Sequence, residues 1–496
     1  MLVAARVFSV FLNLASVPIF LGILGEDGYG AILFVLSLHG LIGLFEVGST
    51  DILQREITIA HNEKDFEKER LLHCDQLGLA AISAVIHLLT GILFGFLFSL
   101  EKGGVPFAQS FSIFLLLGIQ SGLVRWNACQ LVILSARGAF DRVSVTTAIA
   151  NLSMVALSLA GVLIFRQPWV YFAGLLLSEG VQGLVVNRMV RPFSEGYRAR
   201  PAFNRVRLSG LMRQILTEFP NRIATYLSAW VDKLLLGSVA SFQSLAAYRN
   251  AARLPDSLRD VLNPFSTTSL PLFSKSYHAS KEDFQRDVLQ TGSLVFGVAC
   301  LLVLVPSGFG TALLDLWLGK FAPEHGLWIM ILVGFYQAVQ LYLAVVGTAL
   351  FAASKRLWFV PVTVVNALIS VILTVPAYQY AGLIGVAAVN VVRALVQLAV
   401  TYRIFLRLDM SGVSVSAHFG QLIGLTLVSS AAVYGGMATV DLCSQYARPA
   451  AASALIPLVC VMGLAMMCRL RLLVIPDRIA RRLPKFVVAL LGSRAG

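Results

Sequence analysis

The chain has 496 residues, 57% of them hydrophobic and only 13% charged, with a formal net charge of +13 and a mean hydropathy of +0.79. A soluble chain is about 45–50% apolar and about 25% charged, so the composition excludes an ordinary water-soluble domain. The basic residues are dispersed between apolar runs, which argues for membrane topology and against nucleic acid as a partner.

The apolar runs are close to the roughly twenty residues that cross a bilayer as helix. They predict an all-α polytopic membrane protein of about 14 transmembrane helices. The spans are 3–24, 28–50, 76–100, 107–135, 143–165, 168–190, 214–239, 244–271, 288–310, 327–353, 357–377, 382–402, 417–439 and 450–470. The first run is too long for a cleavable leader and lacks a basic flank. With the N-terminus inside, the inner loops and tail carry 27 Lys and Arg and the outer loops four, counting span-end residues with their loops. That asymmetry predicts N-in and C-in.

Eight basic residues remain within spans: Arg6, Arg125, Arg222, Lys233, Arg249, Arg253, Arg259 and Arg393. A charge at a span centre costs at least ~2.5–3.5 kcal/mol on insertion scales, so it needs a cavity or a partner. Arg6 and Arg259 lie near the inner face and can snorkel. Span four carries Gln120, Arg125, Asn127 and Gln130, and span six carries Glu179 near its middle. In span seven Glu218, Arg222, Tyr226 and Lys233 fall near one face, while Asp232 sits about 100° away from Lys233. Span eight sets Arg249, Arg253, Asp256 and Asp260 in one polar stripe beside Pro255. Asp232 and Arg249 lie at similar depth from the turn joining spans seven and eight. They are expected to pair, leaving Lys233 to face a cavity or to snorkel outward. Span twelve adds Asn390, Arg393 and Gln397, whereas spans thirteen and fourteen hold almost no ionisable residue. More cationic than anionic groups inside the bundle suit an anionic ligand, since arginine offers paired donors to phosphate oxygens.

The halves repeat weakly. "ARGAFDRVSVTTAIANLSMVALSLAGVL" (136–163) aligns with "FAASKRLWFVPVTVVNALISVILTVPAY" (351–378), placing Asn151 on Asn366 at an offset of 215. The same offset carries Leu21-Gly22 onto Leu236-Gly237, and Glu179 falls within one residue of Arg393. Spans one to six and seven to twelve thus read as parallel repeats. The expected boundaries are an N-lobe over 1–200, a cytoplasmic linker over 201–213, a C-lobe over 214–407, two appended spans over 408–475 and a basic tail over 476–496. The six cysteines, Cys74, Cys129, Cys300, Cys443, Cys460 and Cys468, form no CxxC pair and read as small hydrophobes.

"LGEDGYGAILFVLSLHGLIGLFEVGSTDILQREI" (21–57) and "DKLLLGSVASFQSLAAYRNAARLP" (232–255) resemble Wzx-type polysaccharide flippases of the multidrug/oligosaccharidyl-lipid/polysaccharide (MOP) exporter superfamily, which also holds lipid II flippases and MATE drug exporters. The resemblance covers the chain through the order and spacing of spans. It implies two six-helix lobes in a V around a central cavity, with two C-terminal helices added, and alternating access. It also implies a polyprenyl-pyrophosphate-linked oligosaccharide as substrate in the bacterial cytoplasmic membrane, within the assembly of a surface polysaccharide such as O-antigen or exopolysaccharide. The partners expected are an undecaprenyl-pyrophosphate glycan, membrane lipids and other polysaccharide-assembly proteins, with the chain a monomer.

On this reading Arg125, Arg222, Lys233, Arg249, Arg253 and Arg393 are the substrate-binding candidates. Glu179, Glu218 and Asp232 are the candidates for gating or for coupling to an H+ or Na+ gradient. No cofactor, metal or catalytic residue is expected, and no Walker, HExxH or GxSxG pattern is present. A MATE-like drug exporter would favour an acidic cavity. A membrane enzyme of the same glycan pathway would favour a long outer loop, and the one at 311–326 offers only Asp315, Glu324 and His325.

Overall fold

Within lipid every backbone N–H and C=O must be bonded inside its own segment, so long apolar runs bounded by charge become helices. The computed structural model of the chain describes residues 2–42, 50–98, 106–193, 200–202, 205–267, 269–353, 355–407 and 415–441, with scattered helical residues between 456 and 467. Most of these are helical, and no strand occurs among the described residues. In chain order the helices are α1 (Leu2–Ile42), α2 (Thr50–Asn62), α3 (Phe66–Leu97), α4 (Phe107–Ala136), α5 (Phe140–Phe165), α6 (Pro168–Val190), α7 (Arg205–Val239) and α8 (Phe242–Thr267). Then come α9 (Leu270–Ala279), α10 (Lys281–Ala299), α11 (Val305–Gly308), α12 (Gly310–Leu318), α13 (Gly326–Ala352), α14 (Val360–Arg407) and α15 (Val415–Asp441).

Among the described residues, nine helical stretches are long and apolar enough to cross a membrane. The chain is therefore a multi-pass membrane protein. Two of the nine are interrupted midway by a left-handed glycine, Gly25 in α1 (φ 72°) and Gly382 in α14 (φ 58°). Glycine takes that conformation without the Cβ clash that bars other residues. α7 and α8 have the length of a span, at 35 and 26 residues, and the charges along α8 keep it outside the nine. The predicted last span (450–470) and the basic tail fall almost wholly outside the described residues, as do Cys443 and Cys468.

Two segments assigned to loops by the sequence are helical. Residues 51–75 hold α2 and the first turns of α3, and residues 272–287 hold most of α9 and the start of α10. At 32 residues α3 is about 48 Å long at 1.5 Å per residue, well beyond the ~30 Å hydrocarbon core. Its charged first turns therefore continue the helix past the apolar stretch. Residues 205–213 of the expected linker likewise already belong to α7.

The chain divides into two compact units, Met1–Ala246 and Ala247–Gly496. In the first, α3 and α4 meet on glycines. A Cβ on Gly91 would fall 2.5 Å from the Phe114 carbonyl oxygen, and one on Gly118 would fall 2.9 Å from that of His87. Small residues let two backbones close in this way. α7 belongs to this unit and lies on α1, where Gly40 faces the Trp230 indole and Gly237 faces the Phe34 ring. The second unit packs α10, α13 and α15 around Phe273, Phe296, Phe309, Tyr342 and Phe405. His418 of α15 is buried there, with Nε2 3.1 Å from the Tyr342 hydroxyl and Nδ1 3.3 Å from Ser293 Oγ.

The internal repeat is visible in the element boundaries. The first half of α1 ends before Gly25 and α7 ends at Val239; α3 begins at Phe66 and α10 at Lys281. α6 begins at Pro168, and the second half of α14 follows Gly382. Each corresponds at an offset of 215. The left-handed Arg166 (φ 53°) that ends α5 and the left-handed Gly382 are 216 apart, so both repeats turn at the same point.

Candidate functional site

α8 carries its charge along one face because residues four and seven apart share a helix side. Arg249 Nη1 lies 3.4 Å from Asp256 Oδ2, two turns along the helix. Arg259 donates to Asp260 (3.0 Å) and to Gln337 of α13 (3.0 Å). The Gln337 amide in turn donates to the other oxygen of Asp256. One carboxylate therefore receives both Arg249 and Gln337, with Arg259 beside it on the same glutamine. Arg253 lies between them on the stripe, partly buried. Arg259, expected only to snorkel, is thus engaged with α13. These side chains are partly open, at 21% exposure for Arg249, 26% for Asp256 and 37% for Arg259.

Arg393 is the opposite case, 1% exposed at the heart of the second unit. Its Nε donates to Asn366 Oδ1 (2.6 Å), Nη1 to Asn390 Oδ1 (2.7 Å) and Nη2 to the Tyr336 hydroxyl (2.9 Å). The guanidinium also stands 4.7 Å from the centre of the Tyr336 ring. Asn390 passes the network on to Tyr248 of α8 (2.8 Å). Neutral oxygens on three sides and a ring face meet much of the cost of burying the charge. Arg393 therefore ties both halves of α14 to α13 and, through Asn390, to α8. Farther along the same helices Gln340 donates to Gln397 (2.7 Å). Tyr336, Gln337 and Gln340 were absent from the sequence reading; polar residues at 336, 337 and 340 in an apolar span were the available signal.

In the first unit Glu179 of α6 faces α4. Asn127 Nδ2 donates to its backbone carbonyl (2.9 Å) and carboxylate (3.1 Å), and Gln120 bonds to the same carboxylate. Arg125 on α4 lies within electrostatic reach of His39 and His87, and Ser121 Oγ is 3.2 Å from His39 Nδ1. Arg6, Glu218 and Arg222 lie on α1 and α7, and their side chains fall outside the described residues.

One expected separation comes out differently. Asp232 and Lys233 were placed on separate faces, yet Lys233 Nζ lies 3.5 Å from Asp232 Oδ1, which also accepts the Lys233 backbone N–H (2.9 Å). The four-carbon stem bends back: Nζ also donates to the Ala229 carbonyl and lies 5.4 Å from the Trp230 ring centre. The angle between Cβ atoms does not limit so long a side chain. Arg249 lies 3.4 Å from Asp256, reached along its own helix.

A further charged cluster went unnoticed in the sequence. Glu69 on α3 is fully buried and accepts from Arg137 Nε (3.0 Å) and Nη2 (2.6 Å) on one oxygen, while His61 Nδ1 lies 3.1 Å from the other. Reading 51–75 as a solvated loop hid it.

Buried charge on long apolar helices, gathered into polar networks among the described residues, defines an all-α multi-pass membrane bundle. The chain belongs to the polysaccharide biosynthesis protein family, whose sequence pattern it matches over residues 1–277. It is 22% identical over 326 residues to a Shigella flexneri protein named "Putative O-antigen transporter", covering 63% of this chain and 74% of that one. Among solved structures it shares the fold of the lipid II flippase MurJ in an inward closed conformation, with a TM-score of 0.70, 13% identity, and 94% and 98% of the two chains covered. An inward-facing multidrug resistance MATE transporter of the MOP superfamily is similar at a TM-score of 0.62 and 14% identity, over 83% of this chain and 99% of that one.

Proposed function

We propose that the chain is a flippase carrying a polyprenyl-pyrophosphate-linked oligosaccharide from the inner to the outer leaflet of a bacterial cytoplasmic membrane, as a monomer working by alternating access. The observation that carries this reading is the cationic run of α8: Arg249 and Arg253 on its polar stripe and Arg259 beside it, on a helix too polar to face lipid all round, none fully buried. Guanidinium forks match the oxygens of a pyrophosphate, and the polyprenyl tail stays in the hydrocarbon while the headgroup crosses. Family membership and the likeness to a lipid II flippase support the same class of cargo. Arg125, Arg222 and Lys233 are further candidate contacts. Arg393, closed to ligands in this conformation, acts as the joint that holds α14 in place. Glu179, Glu218 and Asp232 are the acids for coupling to H+ or Na+, and Glu179 is held by amide partners.

The test is complementation of a deletion strain, scoring surface glycan and the lipid-linked precursor. Deletion should remove the glycan and raise the precursor in the inner leaflet, and Arg249→Gln with Arg253→Gln and Arg259→Gln should fail to restore export. Unchanged glycan and precursor, with a shift in drug susceptibility instead, would overturn this reading in favour of a drug exporter.

A further inference from the structure

We infer that Asp256 is a displaceable counter-ion: its carboxylate occupies the α8 cations until the anionic headgroup takes its place, and so sets how tightly that headgroup is held. This rests on the headgroup reading of α8 and assigns it a residue of opposite sign. Arg249 and Asp256 lie seven residues apart, about 10 Å along the axis at 1.5 Å per residue. Arg249 must therefore lay its stem lengthwise on the helix to reach the acid. It does so with a single nitrogen at 3.4 Å, not with the paired donors of a tight carboxylate fork. Both partners are partly open, so an arriving anion can reach them. An exposed or half-exposed pair of this kind is held weakly.

The other oxygen of Asp256 already accepts from the Gln337 amide. When Arg249 turns to a ligand, the carboxylate keeps a donor on α13 and is not stranded. Arg259, which shares Gln337, lies beside the vacated position. The exchange is anion for anion, with no bond made or broken and the charge of the stripe never left wholly uncompensated. The acid thus limits binding and favours release.

The experiment measures inorganic pyrophosphate binding to the purified full-length protein in lipid nanodiscs by calorimetry. Asp256→Asn removes the competing charge and should bind about two- to fivefold more tightly, the range a partly exposed ion pair sets. Gln337→Leu removes the alternative donor, makes displacement harder, and should bind more weakly. This second variant gives the opposite sign and keeps the test open should Asp256→Asn not fold. Asp283→Asn, which changes net charge equally at the exposed pair with Arg286, should match wild type. Unchanged or weaker binding by a folded Asp256→Asn, an equal gain from Asp283→Asn, or unchanged binding by Gln337→Leu would overturn the counter-ion role. Pyrophosphate binding that Arg249→Gln and Arg259→Gln leave intact, or none in wild type, would overturn the α8 headgroup reading itself.

Discussion

Arg137 closes the C-terminal end of α4 onto a carboxylate with no exposed surface, setting two nitrogens on one oxygen of Glu69 at 3.0 and 2.6 Å. At the equivalent point of the second unit, 215 residues on, stands Phe284, whose ring lies 5.3 Å from Tyr277 and 6.4 Å from Phe273. The same helical corner is held by charge in one repeat and by aromatic packing in the other. Removing one partner of a buried pair strands the other charge, at a cost of about 3–5 kcal/mol. Glu69→Ala should lower the unfolding midpoint in detergent by that measure, and Glu69→Leu with Arg137→Leu should recover much of it. A single-variant loss below ~1 kcal/mol would show that the pair is not a fastening.

Arg393→Lys keeps the charge but offers one nitrogen to acceptors placed around a planar fork. Asn366, Asn390 and Tyr336 cannot all be satisfied by it. Stability should fall by about 1–3 kcal/mol for a stranded buried acceptor, and glycan export should fall with it. Wild-type unfolding in the lysine variant would mean that charge alone, not the fork, fills the role.

The glycine crossing of α3 and α4 makes a steric forecast. Gly91→Val and Gly118→Val each put carbon into the facing backbone and should sharply reduce the yield of folded protein. Gly22→Ala, whose Cβ would meet nothing within 4 Å, should be neutral. Equal yields from all three would refute the close approach.

Arg166 holds the left-handed αL conformation (φ 53°, ψ 35°), whereas at its counterpart the chain places a glycine, Gly382, also at positive φ (58°). A non-glycine residue there costs roughly 1–2 kcal/mol. Arg166→Gly should therefore stabilise the protein by about 0.5–1 kcal/mol, once the added freedom of the unfolded chain is subtracted. Thermal unfolding is the readout, and a lower midpoint contradicts the argument.

The spans and their repeat were legible because span length and the offset of 215 are written in hydropathy and in a few landmark residues. Asn366, matched to Asn151 in sequence, proved to be a direct partner of Arg393. Side-chain partners were less legible. Lys233 and Arg249 carry flexible stems that bridge neighbouring faces or two helical turns, so spacing alone does not reveal the contacts with Asp232 and Asp256. The α2–α3 charges were lost for another reason: composition cannot distinguish a solvated loop from a polar helix that buries one carboxylate.

Between α6 and α7 the described residues include an anchor on α3. The Ala202 amide donates to the Cys74 carbonyl (2.9 Å), and Gly78 leaves room for the Ala202 carbonyl, which a Cβ there would meet at 2.1 Å. The anchor lies five residues from Glu69, about 7.5 Å along α3. A load passed through Ala202 is therefore borne by α3 beside its buried ionic fastening.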